Sequence, residues 1–183
     1  MIWLILGVLI WIGAHLFKRI LPKQRAALGK AGKALVAVLL LISVGFMIIG
    51  YRGAEEDQLY TLPIWAWHLN NLMMLVAIFL MDIGRVNGLV RTKLRHPMLL
   101  GALTWAVAHL LVNGDLASLV LFGGLGLWAL LEMAVISRAE GPWQPPAKGL
   151  IINDDKVAII AAALYAAIAG IHYWLGYAVI AFL

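Results

Sequence analysis

Histidine is the residue type in this sequence best suited to chemistry inside an apolar segment. His109 lies among Leu, Ala, Val and Trp in the stretch RHPMLLGALTWAVAHLLVNGD, which runs over residues 95–115. An imidazole buried in such a segment needs a partner, and a metal centre is one group that satisfies its lone pair. The chain contains no cysteine, so thiolate and iron–sulfur chemistry are excluded and histidine is the expected nitrogen ligand.

Other ionisable residues in or near apolar segments are further candidates. The remaining histidines are His15, His68, His96 and His172. For each of them a structural hydrogen bond competes with ligation, and His96 before a proline also suits a helix start. Counting residues along the predicted helices places Arg95, His96 and Glu132 near the cytoplasmic face, where they are the candidate catalytic residues. A structural alternative for Glu132 is an interfacial pair with Arg138.

The elements that must position these residues are membrane helices. The composition is 64% hydrophobic and 13% charged, with a mean hydropathy of +0.95, which is typical of a membrane protein and not of a soluble domain. Period-two alternation is absent, so helices and not barrel strands are expected. The predicted fold is a single all-α domain over 1–183, with six transmembrane helices at about 1–17, 34–51, 64–83, 97–113, 116–137 and 157–182.

Charged residues in the loops predict the orientation. Thirteen of the fourteen Lys and Arg residues fall in alternate loops, and Arg52 is the exception. That asymmetry places the basic loops in the cytoplasm and both termini outside, in a multi-pass protein of the bacterial inner membrane. The net charge of +5 is therefore explained by topology, and no nucleic-acid partner is expected.

Small residues near His109 suit either a cofactor slot or close helix packing. Haem is apolar, takes a neutral imidazole as an axial ligand and needs a wide slot between helices. Trp105 and Asn113 lie one turn from His109 on the same helix face and are candidate cofactor contacts. The small residues that favour such a slot, or alternatively ordinary helix packing, are Gly101, Ala102, Ala108, Gly123, Gly124 and Gly126.

Two short features between the fourth and fifth predicted helices indicate helix caps. Gly114 suits a left-handed C-terminal cap, and Asp115 suits the N-cap of the helix that follows. These two helices are therefore expected to be antiparallel neighbours. Repeats at a fixed period are not apparent.

The stretch RHPMLLGALTWAVAHLLVNGDLASLVLFGG and the segment GAHLFKR resemble the signature of the NnrU family, small bacterial integral membrane proteins associated with denitrification and nitric oxide metabolism. That family is similar to the zeta-carotene isomerase of plants and cyanobacteria, which holds a b-type haem between two histidines. The resemblance implies that His109 and His15 are the metal ligands of haem b, in a redox-dependent isomerase or oxidoreductase that acts on a lipophilic small molecule. Counting depth along the helices leaves His68 and His172 as alternates to His15.

A second likeness concerns the cytoplasmic face. Arg95, His96 and Pro97, followed by Gly101, resemble the RHPxxxG stretch of isoprenylcysteine and phospholipid methyltransferases, which bind S-adenosylmethionine with such residues. The later carboxylate that grips the cofactor in those enzymes would be Glu132 or Glu140 here. The apolar C-terminal stretch GYAVIAFL departs from the acidic signature of those enzymes.

Three functions therefore stay open from the sequence. The first is a haem-binding protein acting as an isomerase or oxidoreductase, and the second is an S-adenosylmethionine-dependent methyltransferase. The third is a non-enzymatic membrane factor that supports nitrogen-oxide respiration, because a shared fold does not by itself determine the chemistry.

Overall fold

The computed structural model describes residues 1–55, 57–177 and 179. These residues form helices and loops, and their one β-bridge is an isolated antiparallel pair, Gln58 and Asp115. The predicted all-α class is confirmed. The α-helices are α1 (Ile2–Ile20), α2 (Pro22–Ala27), α3 (Gly29–Arg52), α4 (Trp65–Ile83), α5 (Pro97–Val112), α6 (Leu116–Ser118), α7 (Gly124–Glu140) and α8 (Ile151–Trp174).

In the described part of the chain, five helices are long and apolar enough to cross a membrane, so the protein is a multi-pass membrane protein. They are Ile2–Ile20, Gly29–Arg52, Trp65–Ile83, Leu116–Glu140 and Ile151–Trp174. The fourth of these is continuous because a π-helical segment, Leu119–Gly123, joins α6 to α7. The predicted span at 97–113 corresponds to α5, which has 16 residues and is shorter than these five helices. A helix of that length rises about 24 Å, against about 30 Å for a hydrocarbon core.

Helix ends differ from the predicted spans where polar residues continue a helix. α1 extends through Lys18 and Arg19 to Ile20, and α3 starts at Gly29, several residues before the predicted start at 34. Hydropathy marks the part of a helix that suits lipid, whereas Lys and Arg are good helix formers outside it. The short helix α2 was not predicted. The predicted sixth span ran to 182, and its residues 178 and 180–182 lie outside the described residues.

The described chain divides into two compact units. Unit 1 comprises Met1–Tyr60 and Gly114–Gly141, and unit 2 comprises Thr61–Asn113 and Pro142–Leu183. Unit 1 therefore contains α1, α2, α3, α6 and α7, while unit 2 contains α4, α5 and α8. Each unit is assembled from helices that are distant in sequence.

Unit 1 depends on close antiparallel contact between α1 and α3. A Cβ added to Gly7 would lie 2.7 Å from the Met47 Cγ, and the Ser43 hydroxyl donates to the Gly7 carbonyl (2.8 Å). At the other end of the pair, Gly50 packs directly on the backbone of Leu4. Small residues permit this close backbone approach. In lipid, the resulting van der Waals packing holds two helices together, because there is no hydrophobic driving force between them.

The helix α7 packs on α1 in the same direction. Gly124, at the start of α7, lies against Val8, where an added Cβ would be 2.6 Å from the Val8 Cγ1. At the far ends of both helices, Arg19 forms an ion pair with Glu140 (2.9 Å). The parallel direction is what the predicted alternation of membrane crossings requires.

The start of α6 confirms one predicted cap and corrects another. The Asp115 side chain caps the helix by accepting the Ser118 backbone N–H (2.7 Å), and Ser118 in turn bonds the Tyr51 hydroxyl (2.8 Å). The predicted left-handed conformation of Gly114 is wrong, because the described glycines with positive φ are others. Gly114 is needed because it lies against the Tyr60 carbonyl, whose neighbouring backbone leaves no room for a Cβ.

Unit 2 has a similar close helix pair and one additional anchor. α4 and α5 are antiparallel, since a Cβ on Gly101 would lie 2.8 Å from the Ala77 carbonyl and Pro97 packs on Gly84. The anchor is Asp154 in the first turn of α8, which is 6% exposed.

One Asp154 oxygen accepts the backbone N–H groups of Leu89 (2.6 Å) and Val90 (3.2 Å). These donors begin a short 3₁₀ turn, Val90–Thr92, so the carboxylate caps that turn from another helix. Gly88 lies directly against the same carboxylate and leaves no space for a side chain. The loop after α4 is thereby held to the start of α8.

Candidate functional site

His15 lies in α1 of unit 1, and its two ring nitrogens have different roles. The Nδ1–H group donates to the carbonyl of Trp11, one turn earlier, at 3.0 Å. A carbonyl oxygen can only accept, so Nδ1 carries a proton, and in the neutral ring Nε2 then keeps the lone pair. The described residues give Nε2 no hydrogen-bond partner. A neutral imidazole in this tautomer is the form that ligates a metal.

Two indoles surround the His15 imidazole. The ring centroid of Trp11 lies 4.4 Å from that of His15, and the ring of Trp128 from α7 lies 4.6 Å away. The two indoles also contact each other edge to face, with centroids 5.4 Å apart. Trp128 is buried, so this cluster of three rings belongs to the interior of unit 1.

Glu132 lies one helical turn after Trp128 on α7. It is 9% exposed, and in the described part of the chain its carboxylate has no hydrogen bond and no ion pair. The predicted interfacial pair with Arg138 is therefore not formed, and Arg138 itself is exposed. A buried carboxylate in an apolar helix is costly and is generally functional.

His109 lies in α5 of unit 2 with the same local geometry as His15. Its Nδ1–H donates to the carbonyl of Trp105, one turn earlier, at 2.9 Å, and the ring of Trp105 lies 4.9 Å from the imidazole. Asn113 bonds the backbone carbonyl of His109 (2.8 Å) and ends the helix. Of the two predicted cofactor contacts, Trp105 thus touches the imidazole ring, and the amide of Asn113 satisfies the backbone.

The structure reveals a short repeat that the sequence analysis missed. WIGAHL at 11–16 and WAVAHL at 105–110 share Trp, Ala, His and Leu at the same positions, one copy in each unit. In both copies the tryptophan carbonyl binds Nδ1 and the indole contacts the imidazole. A carbonyl behind Nδ1 is the usual outer partner of a metal-ligating histidine. The described residues contain no group of three or more His, Asp or Glu that could hold a metal ion.

The other three histidines are less buried or serve the helix ends. His172 in α8 is exposed and donates Nδ1–H to the Ile168 carbonyl (2.8 Å). It lies two residues before the end of α8. His68 in α4 is exposed. His96 is the N-cap residue of α5 with Pro97 in the first helical position, which agrees with its structural interpretation.

The three candidate catalytic residues fall in both units. Arg95 and His96 directly precede α5 in unit 2, and both are half-buried. Glu132 belongs to α7 of unit 1. It lies one turn after Trp128, the residue of that helix that contacts His15.

The small residues predicted to line a cofactor slot are engaged in helix packing at two positions. Gly101 is pressed against α4 and Gly124 against α1. At Gly123, by contrast, the nearest atom to an added Cβ is a Leu119 methyl at 3.8 Å, which is an ordinary contact. The packing interpretation therefore accounts for Gly101 and Gly124.

Nearly the whole chain matches one known protein family. Residues 3–179 match the family model described as NnrU protein. No curated protein and no solved structure matches the chain.

Proposed function

The chain belongs to the NnrU family, and from its two histidine sites we propose that it is a haem b-binding protein of the bacterial inner membrane. His15 and His109 are the proposed axial ligands. In this proposal the protein has six membrane spans, with α5 as the short one, and both termini outside. The association with denitrification and nitric oxide metabolism is carried over from the resemblance to the family.

The observation that carries the proposal is the repeated tryptophan–histidine geometry. In each unit the histidine Nδ1–H donates to the carbonyl of the tryptophan one turn earlier, so that in the neutral ring the lone pair is on Nε2. Neutral imidazole is the donor that haem iron takes in b-type proteins. The donor chemistry of the two residues therefore fits haem, and haem needs no third protein ligand, which is consistent with the described residues.

The proposed chemistry is redox-dependent conversion of a lipophilic small molecule, either isomerisation or oxidoreduction. Haem, when bound, supplies one-electron chemistry at iron. The protein supplies two neutral nitrogen ligands and an apolar surrounding that excludes water from them. Arg95, His96 and Glu132 are the candidate residues for binding or protonating the substrate.

Haem content of purified variants tests the proposal. The protein is expressed with a supply of haem, purified in detergent and measured for the Soret band per mole of protein. We expect one haem per chain in the wild type, and loss of the band in His109→Ala and in His15→Ala. His68→Ala is the matched control, because His68 is exposed and lies outside both tryptophan–histidine copies.

The same haem measurements on alanine variants identify the second axial ligand beside His109. His172 is the predicted alternate ligand and belongs to the same unit as His109, so His172→Ala is measured beside His15→Ala. Loss of haem in His172→Ala together with full haem in His15→Ala would reassign the second ligand to His172. A colourless wild-type protein would contradict the haem proposal altogether.

If the wild-type protein is colourless, two functions remain, a methyltransferase and a non-enzymatic membrane factor. Binding of radiolabelled S-adenosylmethionine distinguishes between them. Equilibrium dialysis that shows binding, weakened in Arg95→Ala and Glu132→Gln, would support the methyltransferase. Binding of neither compound would leave a non-enzymatic membrane factor.

A further inference from the structure

We propose that Trp11 and Trp128 are positioning residues for His15, holding both its tautomer and the plane of its ring. The inference rests on the proposed function, because haem ligation is the role proposed for the His15 Nε2. The juxtaposition itself belongs to unit 1 alone. Neither tryptophan would be a ligand, so both act through His15.

The geometry restricts the two ways in which an imidazole can reorient. Rotation about the Cβ–Cγ bond would exchange Nδ1 and the neighbouring ring carbon, and it would break the 3.0 Å bond to the Trp11 carbonyl. The same rotation would also turn the ring edge into the indoles, whose centroids lie 4.4 Å and 4.6 Å away. Two independent contacts therefore oppose one motion.

Trp128 is the non-local part of this arrangement. It comes from α7, whereas the Trp11 contact follows from the spacing of one turn within α1. Trp128 is buried and also packs edge to face on Trp11, so it supports the imidazole directly and through its neighbour. Its position depends on the close approach of Gly124 to Val8 one turn earlier.

The other histidines of the chain provide an internal comparison. His172 also donates Nδ1–H to a carbonyl one turn earlier, but its ring contact among the described residues is Tyr177, at 6.1 Å. If the carbonyl alone held the tautomer, His15 and His172 would behave alike. If the indoles are required, His15 is held in one state and His172 is not.

Nitrogen NMR of the haem-free protein tests the proposal without any cofactor. Protein labelled with ¹⁵N-histidine is studied in detergent as wild type, Trp128→Leu and Trp128→Phe, with His15→Gln used to assign the His15 signals. We expect a protonated Nδ1 and an unprotonated Nε2 for His15 in the wild type, and averaged signals of a mixed tautomer in Trp128→Leu. Trp128→Phe keeps a ring and is expected to fall between them.

The control is Trp3→Leu. Trp3 is on the same helix and packs on Phe46, not on a histidine, with ring centroids 5.0 Å apart. We expect it to leave the His15 signals unchanged. Wild-type signals in a folded Trp128→Leu would overturn the proposal, and if that variant does not fold, wild-type signals in Trp128→Phe and in Trp11→Phe together would overturn it.

Haem-loaded protein adds a second measurement. We expect Trp128→Leu to bind haem about tenfold more weakly, the lower end of the effect of removing an outer partner of a metal ligand. We also expect a shift in the largest g value of the ferric low-spin EPR signal, which depends on the orientation of the imidazole planes. Unchanged affinity and g values would overturn the proposal, whereas a wild-type protein without haem would overturn the proposed function and leave the NMR result to decide this inference.

Discussion

The two units use one local motif in two different settings. In unit 1 the imidazole of His15 lies against two indoles, one of them from another helix. In unit 2 the imidazole of His109 lies against the indole that precedes it in the same helix. The hydrogen bond at Nδ1 is nearly the same in both, 3.0 Å and 2.9 Å.

This difference separates the effect of the Trp–His motif within one helix from the effect of the helices packed around it. A tryptophan four residues before a histidine places its carbonyl at Nδ1 in either unit, because the two residues lie one helical turn apart. How firmly the ring is held depends on the helices packed around it. Unit 1 adds an aromatic residue at the imidazole through α7. A separate feature of unit 2 is the carboxylate anchor between the loop after α4 and the start of α8.

The largest effect is expected from breaking the anchor of unit 2. Asp154→Ala removes the acceptor of two backbone N–H groups, at Leu89 and Val90, and leaves them unsatisfied. We expect unfolding free energy to fall by about 3 kcal/mol, since each buried orphan donor costs about 1–3 kcal/mol. Thermal unfolding in detergent measures the change. Asp155→Ala is the matched control, because Asp155 is exposed, and an equal loss in both variants would contradict the anchor.

The next effect concerns the α1–α7 contact that brings Trp128 to His15. Gly124→Ala would place a Cβ 2.6 Å from the Val8 Cγ1, so either the Val8 side chain or α7 must shift. We expect a loss of about 2 kcal/mol from overpacking, together with altered His15 nitrogen signals. Gly123→Ala is the control, since its nearest neighbour is 3.8 Å away and alanine favours the helix. Greater stability in Gly124→Ala than in Gly123→Ala would show that the contact is looser than described.

A smaller effect is expected where the helix carrying Trp128 begins. Asp115→Ala removes the side-chain cap on Ser118 and should lower the unfolding free energy by about 1 kcal/mol. The exposed Asp57, on the strand-like segment beside it, serves as the control in Asp57→Ala. Equal stability of the Asp115 variant and the wild type would mean that the cap is not needed to start α6.

The smallest effect is a dependence on high pH in the loop after α3. Burial, and then the Asp115 carboxylate, raise the pKa of Tyr60 above its ordinary value of 10.0. Between that value and the raised pKa, the folded state keeps a proton that the unfolded state releases, so stability falls as pH rises through this window.

Melting temperatures in detergent between about pH 9 and pH 11 should therefore decline less steeply in Tyr60→Phe than in the wild type. Tyr60 lies in unit 1, so this measurement also asks whether the loop folds with the α1–α3 pair. An identical decline in both proteins would show that Tyr60 does not contribute.

The sequence was sufficient for the helical class, the approximate positions of the long helices and the cap at Asp115. These follow from patterns within a few residues, namely continuous apolar runs and an Asp before a helix. Helix ends were less predictable, because Lys18 and Arg19 are polar and yet extend α1. The left-handed conformation predicted at Gly114 was wrong. A glycine is needed there because Tyr60, from a distant part of the chain, lies against it.

For the site, the sequence determined which residues can present a ligand nitrogen, because the tryptophan carbonyl and the histidine ring are one helical turn apart in both copies. It also determined that the candidate ligands are histidines, since no cysteine is present. Only the tertiary structure placed Trp128 against His15, buried Glu132 without a partner among the described residues and set Asp154 across from Leu89. Such contacts join residues on separate helices, and they depend on packing at small residues that no local pattern encodes.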